Sequence, residues 1–221
     1  MCAKKKISAF VFVLTALLIL PALRAHSAGW GFYGTAGGGN FGLDLNFDSG
    51  GKKTEKGDAM KFGLGFSYDS NVAKDELLNY RLNVGWENVD LNVNHSSRSE
   101  SYNSLNVDNT LGFGLFSNQS MRFWMGPELR LGYFKGSGNG FMDDARSFIW
   151  GLGGAVGLNM HLSQDYDLAF TTGVRWENYL NGVFDSHPTI RDSGDFDGSG
   201  TFGYFTATFY FKSLEDKYYK K

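Results

Sequence analysis

Three side chains of this sequence, His161, Ser163 and Glu177, have types and a spacing that could support catalysis. A serine hydroxyl becomes a nucleophile when a histidine accepts its proton and a carboxylate orients that histidine. The alternative is a structural histidine next to a turn. We favour this alternative because the alternation of the surrounding residues places His161 at the end of a strand. We therefore expect that the protein is not an enzyme.

A second candidate lies in an acidic segment near the carboxyl terminus, which contains Asp192, Asp195 and Asp197. Carboxylates at such a spacing resemble part of a calcium loop, in which oxygen atoms surround a hard cation. Ser193 occupies the first ligand position, however, and no glutamate closes the site. The favoured interpretation is a solvated acidic loop without metal. The sequence also has no phosphate loop, zinc motif or dinucleotide fingerprint, so we expect no cofactor.

The elements that must position these residues are predicted by a strict alternation of side-chain character. It is clearest from Met121 to Tyr133, where every second residue except Pro127 is large and apolar and the others are charged, small or tryptophan. A strand places successive side chains on opposite faces. The same pattern recurs in eight segments, joined alternately by short and long connections. This predicts an all-β fold, an eight-stranded antiparallel up-and-down transmembrane β-barrel with apolar residues outward.

The alternation also assigns ten charged residues to the lumen. An eight-stranded barrel is just wide enough for side chains to fill. Because buried charges must be paired, we expect a lumen packed by ion pairs, with a narrow ion or proton path as the alternative. The assigned residues are Asp44, Lys61, Arg81, Glu87, Asp108, Arg122, Glu128, Arg130, Arg175 and Glu177.

Breaks in the alternation predict local irregularities. Its phase changes across Gly37–Gly39, which predicts a bulge there and places Phe41, Leu43, Leu45 and Phe47 on the lipid side. A second break between Trp86 and Val89 predicts another bulge or the exit from the membrane. Pro127 lacks a donor for the ladder and is expected at a bulge. The polar segment 48–58 is expected to be the first long loop. Its Lys52, Lys53 and Lys56 are interpreted as a solvated loop tip, with contact to lipopolysaccharide phosphates as the alternative.

The amino-terminal residues predict secretion. Residues 1–28 have a positive region at Lys4–Lys6, an apolar run from Ile7 to Leu20 and small residues before a cleavage site, which is typical of a signal peptide. We expect 29–212 to form the barrel and 213–221 a short periplasmic tail. Removing the signal peptide takes away four positive charges and no negative ones. The net charge then falls from −2 to about −6, which argues against nucleic acid as a partner.

At this length, the strand count and the loop pattern resemble small bacterial outer-membrane barrels of the OmpA/OmpX type. The ending Gly203 to Phe211, with Phe209-Tyr210-Phe211, also resembles the aromatic final strand that barrel-assembly machinery reads. The resemblance implies an outer-membrane location with both termini in the periplasm. It further implies a monomer that contacts outer-membrane lipid and lipopolysaccharide. Envelope structure, or surface interaction and adhesion through four outer loops, is the function that this favours.

Two other functions stay open. Lipid A deacylases of the outer membrane resemble this architecture and use a His-x-Ser pair with a glutamate on the next strand, although their motif continues with asparagine where this chain has Gln164. A narrow ion-conducting barrel is the other possibility. A secreted lipocalin-like barrel would need an apolar interior and a polar exterior, which is the reverse of what the alternation predicts.

Overall fold

The computed structural model describes residues 28–72, 77–93, 99–136, 144–185 and 192–212. The predicted signal peptide, except its last residue, and the predicted tail lie outside these ranges. The strands are β1 Gly29–Phe47, β2 Lys52–Asp69, β3 Leu78–Val93, β4 Ser99–Ser117, β5 Met121–Gly136, β6 Arg146–His161, β7 Tyr166–Phe184 and β8 Gly194–Lys212.

Each strand pairs antiparallel with the next one, and β1 pairs with β8 to close the barrel. The predicted eight-stranded antiparallel up-and-down barrel is therefore confirmed. Closure leaves no strand edge with unpaired backbone groups. In the described ranges, no helix is long and apolar enough to cross a membrane.

The two ends of the barrel differ. At the terminal end, Gly29 of β1 lies opposite Lys212 of β8, and short turns follow β4 and β6. Eight residues connect β2 and β3 at the terminal end, more than the five that connect β3 and β4 at the far end. The connections after β5 and β7, also at the far end, have nine residues each, whereas β1 and β2 are joined by a tight turn over Asp48–Gly51. The prediction of a long first loop was therefore wrong. Lys52 continues the ladder opposite Asn46, which satisfies backbone groups that a loop would leave to water.

The outer wall next to the terminal end is an apolar belt. Leu64, the middle one of five outward apolar residues of β2, is 63% exposed. Apolar surface on this scale is costly in water and suits a hydrocarbon surrounding. The belt includes Trp30, Phe32, Phe62, Leu64, Phe66, Trp86, Leu105, Leu152, Val174 and Phe205.

Toward the far end the polarity inverts. Phe41, Leu43, Leu45 and Phe47 are buried inside the barrel, at most 5% exposed, and Asp44 is exposed on the outer wall. The predictions of a lipid-facing apolar set and a lumenal Asp44 were therefore wrong. The register of β1 with both neighbours runs unbroken through Gly37–Gly39, so no bulge occurs there. Strand parity is constant, and what changes is the character of the residues on each face.

The other predicted irregularities also resolve differently. The β2–β3 register is continuous where Gly63 lies opposite Glu87 and Lys61 opposite Val89, so this break marks the same inversion of polarity. Pro127 lies opposite Gly154 and at no register shift. Shifts occur instead at Gly114/Phe116, Arg146/Phe148 and Tyr179/Gly182. At the last of them Asn181 has a φ of 51°, and the inward parity of β7 changes there.

The belt makes a direct prediction. Replacing Leu64 with arginine should destabilise the folded barrel in a lipid bilayer by about 2–4 kcal/mol, because the charge would lie near the bilayer midplane. Urea-induced unfolding from phospholipid vesicles, followed by tryptophan fluorescence, measures this. The matched control is Thr54→Arg, an exposed outward position of the same strand beyond the belt, which should cost much less. Equal losses at the two positions would contradict the assignment of the belt.

Candidate functional site: the charged lumen

The structure places the predicted lumen residues inside the barrel with the exception of Asp44. The other nine are at most 7% exposed and divide into two layers. Seven of them form a layer near the middle of the barrel, the central network. Its members are Lys61, Glu87, Asp108, Glu128, Arg130, Arg175 and Glu177.

Arg130 is held by two carboxylates at once. Its guanidinium donates to both oxygens of Glu87, at 2.6 and 2.7 Å, and to both oxygens of Asp108, at 2.6 and 2.7 Å. Such bidentate pairs fix the geometry and are among the stronger hydrogen bonds in proteins. The three side chains come from β3, β4 and β5, so this cluster joins one half of the barrel across its interior.

Glu177 joins the other half. Its carboxylate accepts hydrogen bonds from Lys61 at 2.5 Å, from Arg175 at 2.9 Å and from Arg130 at 3.4 Å. Arg175 also donates to Glu128 at 2.5 Å. Strands β2, β5 and β7 are thereby connected through one fully buried carboxylate. Each charge of the network has an opposite charge beside it, as burial requires.

Aromatic side chains complete the central network. The hydroxyl of Tyr204 donates to Glu128, and the ring of Tyr204 lies 4.8 Å from the guanidinium of Arg175. The Lys61 ammonium lies 3.6 Å from the centre of the Phe202 ring. The sequence reasoning did not assign the tyrosine to the lumen, although it alternates with the outward residues Phe205 and Phe209 of β8 and could have been found from that parity.

A second layer lies closer to the terminal end. Arg81 donates to Asp69 at 2.7 and 3.0 Å and to Thr171 and Asn159 at 2.6 and 2.9 Å. Its guanidinium lies 4.6 Å from the Trp124 ring. The sequence reasoning missed Asp69, which continues the inward parity of Lys61 along β2. Arg122, also in this layer, donates to the carbonyl of Asn71 at 2.8 Å.

At the far end the lumen is filled by apolar side chains, the apolar plug. Leu45, Phe184, Phe196 and Phe202 are each about 1% exposed. Pairs of rings contact one another, for example Phe47 with Phe184 at 5.6 Å between centroids. The plug contains a cavity of about 10 Å³, which is at the lower limit for a single water molecule and is lined by Phe41, Leu43, Leu91, Phe134, Tyr179 and Phe196. The plug therefore packs like the core of a soluble protein.

The candidate catalytic residues are not brought together. His161 lies opposite Asp167 and contacts it through Nδ1 at 3.0 Å. The Ser163 hydroxyl accepts hydrogen bonds from the N–H groups of Asp165 and Tyr166 and so shapes the β6–β7 turn. Glu177 lies on β7 ten residues beyond Asp167, which places it roughly 30 Å from His161 at the rise of a strand. Its carboxylate is bound in the central network. These three side chains therefore do not form a catalytic triad.

This geometry leads to a prediction for lipid A. Replacing Ser163 with alanine should leave the lipid A of expressing cells unchanged, because the hydroxyl is used in a turn and the candidate acid, Glu177, is bound in the central network. Mass spectra of lipid A from cells with the parent, the variant or neither protein test this. A lipid A species that requires the parent and disappears with a folded Ser163→Ala protein would contradict it.

The acidic segment is also placed differently from the loop that was predicted. Asp195 and Asp197 lie on β8 and point outward, where they accept hydrogen bonds from Asn46 at 2.7 Å and from the Asn181 N–H at 3.2 Å. Asp192 accepts a bond from the Ser49 N–H at 3.0 Å, and hydrogen bonds from the Ser49 side chain and from this N–H lower the pKa of the Asp192 carboxyl. Among the described residues, no three His, Cys, Asp or Glu side chains converge on a possible metal site.

The three lysines of the predicted first loop lie on β2 and are exposed. Lys53 pairs with Glu55 at 2.5 Å. Lys56 lies opposite Gly42 on the outer wall, beyond the apolar belt. They are therefore presented by a rigid strand instead of a loop.

Solved structures of outer-membrane proteins are similar to this chain. OprG of Pseudomonas aeruginosa has a TM-score of 0.52 and 13% identity, over 86% of this chain and 99% of that one. Neisserial surface protein A has a TM-score of 0.35 and 16% identity, over 81% of this chain and 97% of that one. The outer-membrane enzyme PagL has a TM-score of 0.31 and 16% identity, over 76% of this chain and 97% of that one. No family model and no curated protein match the sequence. Together with its own strand pairing, the likeness to OprG shows that this chain has the fold of an eight-stranded outer-membrane β-barrel.

Proposed function

We propose that this protein is a closed barrel of the bacterial outer membrane that acts as a surface-interaction protein. Its terminal end faces the periplasm, and its far end stands in water outside the cell. It is inserted by the barrel-assembly machinery, which reads the aromatic last strand. It resides as a monomer among outer-membrane lipid and lipopolysaccharide. Its role is recognition by the outer wall and connections of the far end.

The observation that carries this proposal is the inversion of polarity along the barrel axis. Within the belt, Leu64 and its neighbours are apolar and outward, and charges such as Arg130 lie inside. Beyond the belt, Asp44 and Lys56 lie outward, and Phe196 lies inside. A barrel entirely within lipid or entirely in water would need only one of these patterns. The strands therefore extend from hydrocarbon into water, and their far part forms a rigid platform.

The filled lumen supports a binding role over a transport role. Two charged layers and the apolar plug lie in series along the axis. Opening the plug would expose residues such as Phe184 and Leu45 to water, at a cost of roughly 1.5–3 kcal/mol for each large apolar side chain. The exposed far end, by contrast, offers polar groups on a rigid scaffold, which is the usual location of binding residues.

The closed lumen gives a measurable expectation. Purified, refolded protein in planar lipid bilayers should show no stable porin-sized current, because the lumen side chains are held by ion pairs and apolar packing. Refolding is verified by a shift in gel mobility between unheated and heated samples. A reproducible large conductance from a homogeneous preparation would contradict the closed barrel and favour a transport function.

The orientation is tested independently. The sequence has one cysteine, Cys2, which lies in the predicted signal peptide, so a single introduced cysteine reports one position. On intact cells, a membrane-impermeant maleimide should label Thr54→Cys at the far end and should not label Ser163→Cys at the terminal end. Lysis should make both reactive. Labelling of Ser163→Cys alone on intact cells would reverse the proposed orientation.

A further inference from the structure

A shallow groove crosses the outer wall of the far part over β7, β8, β1 and β2. Its floor is one row of cross-strand partners, in which Asn178 lies opposite Ser199, Ser199 opposite Gly42, and Gly42 opposite Lys56. Two adjoining depressions of about 460 and 420 Å³ share Ser199. We call this feature the outer groove. Its lining includes Asp44, Lys56, Trp176, Asn178, Asp197 and Ser199.

One wall of the outer groove is a fixed aromatic ring. Trp176 is 43% exposed, and its ring meets that of Trp150 edge-to-face at 5.4 Å between centroids. A tryptophan held in this way presents a flat apolar surface at little entropic cost. The C–H face of a sugar ring packs against such a surface.

Acidic side chains stand at the other end of the groove. Asp44 and Asp197 are directly opposite in the β1–β8 ladder, where like charges disfavour the pairing. Thr54 donates to one oxygen of Asp44, and the Asn181 N–H donates to one oxygen of Asp197. Each carboxylate therefore keeps a second oxygen that can accept a bond from a ligand hydroxyl.

Donors lie beside these acceptors. Asn178 lines the groove, and its amide nitrogen lies beneath the surface without a hydrogen-bond partner among the described residues, so it can donate to a ligand only after its side chain turns outward. Lys56 is exposed at the opposite rim. With two carboxylates against one ammonium, the local charge is negative, and this repels phosphate and other anions. A ligand with both hydroxyl donors and acceptors, an apolar face and no charge fits these groups.

We infer that the outer groove binds uncharged sugar units of the glycolipids that surround the barrel. Trp176 lies at the edge of the apolar belt, and Asp44 lies beyond that edge, so the groove begins where the hydrocarbon ends. Sugars attached to outer-leaflet lipopolysaccharide stand at this height. The inference rests on the proposed orientation, in which the far end is outside the cell.

Glycine at position 42 allows a test that preserves the fold. A Cβ atom there would lie 3.9 Å from Lys56 Cγ and 4.0 Å from the Glu55 carbonyl, which is ordinary van der Waals contact, and the methyl groups of Gly42→Val then occupy the groove. Gly34→Val is the matched control, because it is outward on the same strand, within the belt, and its Cβ would lie 4.0 Å from the nearest atom. Both variants should show the parent's gel-mobility shift.

The binding experiment uses protein refolded in detergent and core oligosaccharide that is released from lipopolysaccharide by mild acid and then dephosphorylated. Amide chemical shifts should change around the outer groove, and titration should give an affinity. Gly42→Val should weaken binding by roughly tenfold or more because it removes the space, and Gly34→Val should not. Trp176→Leu should also weaken binding, whereas Trp86→Leu, at an exposed tryptophan on the opposite wall, should not.

A second arm identifies the source of the sugar. In vesicles that contain lipopolysaccharide with its core sugars, maleimide labelling of Thr54→Cys should be slower than in vesicles with lipid A alone. Gly42→Val should restore the rate, and Ser101→Cys on another part of the wall corrects for crowding. Maltoheptaose represents a free saccharide. Tighter binding of maltoheptaose than of core oligosaccharide would overturn the glycolipid assignment.

The outcomes separate this inference from the proposed function. If the barrel is closed and labels at the far end on cells, but core oligosaccharide does not bind or binds equally to Gly42→Val, the groove inference is wrong and the proposed function stands. If Thr54→Cys is unreactive on intact cells, the proposed orientation fails, and the inference fails with it.

Discussion

Replacing Arg130 with methionine is expected to destabilise the folded barrel by about 3–5 kcal/mol, the usual cost of removing one partner from a buried ion pair. The guanidinium is 2% exposed and neutralises Glu87 and Asp108 through four hydrogen bonds. Without it, Glu87 loses its guanidinium partner, and Asp108 keeps only Arg175, whose Nη1 lies 3.7 Å from its Oδ1. Urea-induced unfolding from vesicles gives the change in the free energy of unfolding.

A matched control separates burial from loss of charge. Lys135→Met removes a positive charge from the same strand, β5, at an exposed outward position. It should change stability by less than about 1 kcal/mol, as exposed charges usually do. Equal effects of the two substitutions would contradict the role assigned to the central network.

A compensating variant tests the mechanism further. In a barrel that carries Arg130→Met, converting Glu87 to glutamine and Asp108 to asparagine removes the unpaired charges and keeps their shapes. Part of the lost stability should return, because unpaired buried charge dominates the cost. The opposite result is a triple variant whose free energy of unfolding is lower than that of Arg130→Met alone. In that case, the lost packing of the arginine stem would be the better explanation.

The strand number and the inward face within the belt were predictable from the sequence. Alternation with period two assigns residues such as Lys61 and Arg130 to one face, and the charges identify that face as the interior when the outside is lipid. The pairing of these charges was not predictable. Arg130 and Glu87 are 43 positions apart, and their contact depends on the register and tilt of strands around the closed barrel.

The far part of the barrel shows why the same reasoning failed for Asp44. Alternation shows that Asp44 and Leu45 lie on opposite faces, but the direction of each face follows from the surrounding medium. The sequence reasoning kept lipid outside along the whole of β1 and explained the phase change at Gly37–Gly39 as a bulge. The unbroken register excludes this bulge, and a change of medium along the strand, from lipid to water, would account for the inversion. Residues of similar polarity therefore exchange sides without any change in the backbone.

The candidate triad failed for a related reason. The separation of Ser163 and Glu177 along the chain is compatible with adjacent strands, and they do lie on adjacent elements. Whether the side chains meet depends on their positions along the β6–β7 hairpin, and the register places His161 opposite Asp167 and far from Glu177. Glu177 is then a member of the central network, which no spacing between a serine and a glutamate reveals.

The inversion itself predicts the effect of removing a ring from the plug. Phe196→Ala should destabilise the barrel by about 3–5 kcal/mol, because Phe196 is 1% exposed and packs inside against Phe184, so its loss leaves a cavity. Phe209→Ala on the same strand should cost less, since Phe209 is 39% exposed on the belt and lipid tails fill the space left by its ring. Unfolding from vesicles compares the two directly. If the far part of β8 instead had its apolar side in lipid, as a constant outward polarity requires, the two alanine variants would lose similar stability. A larger loss at Phe209 than at Phe196 would therefore overturn the assignment of the plug and, with it, the extension of the strands into water.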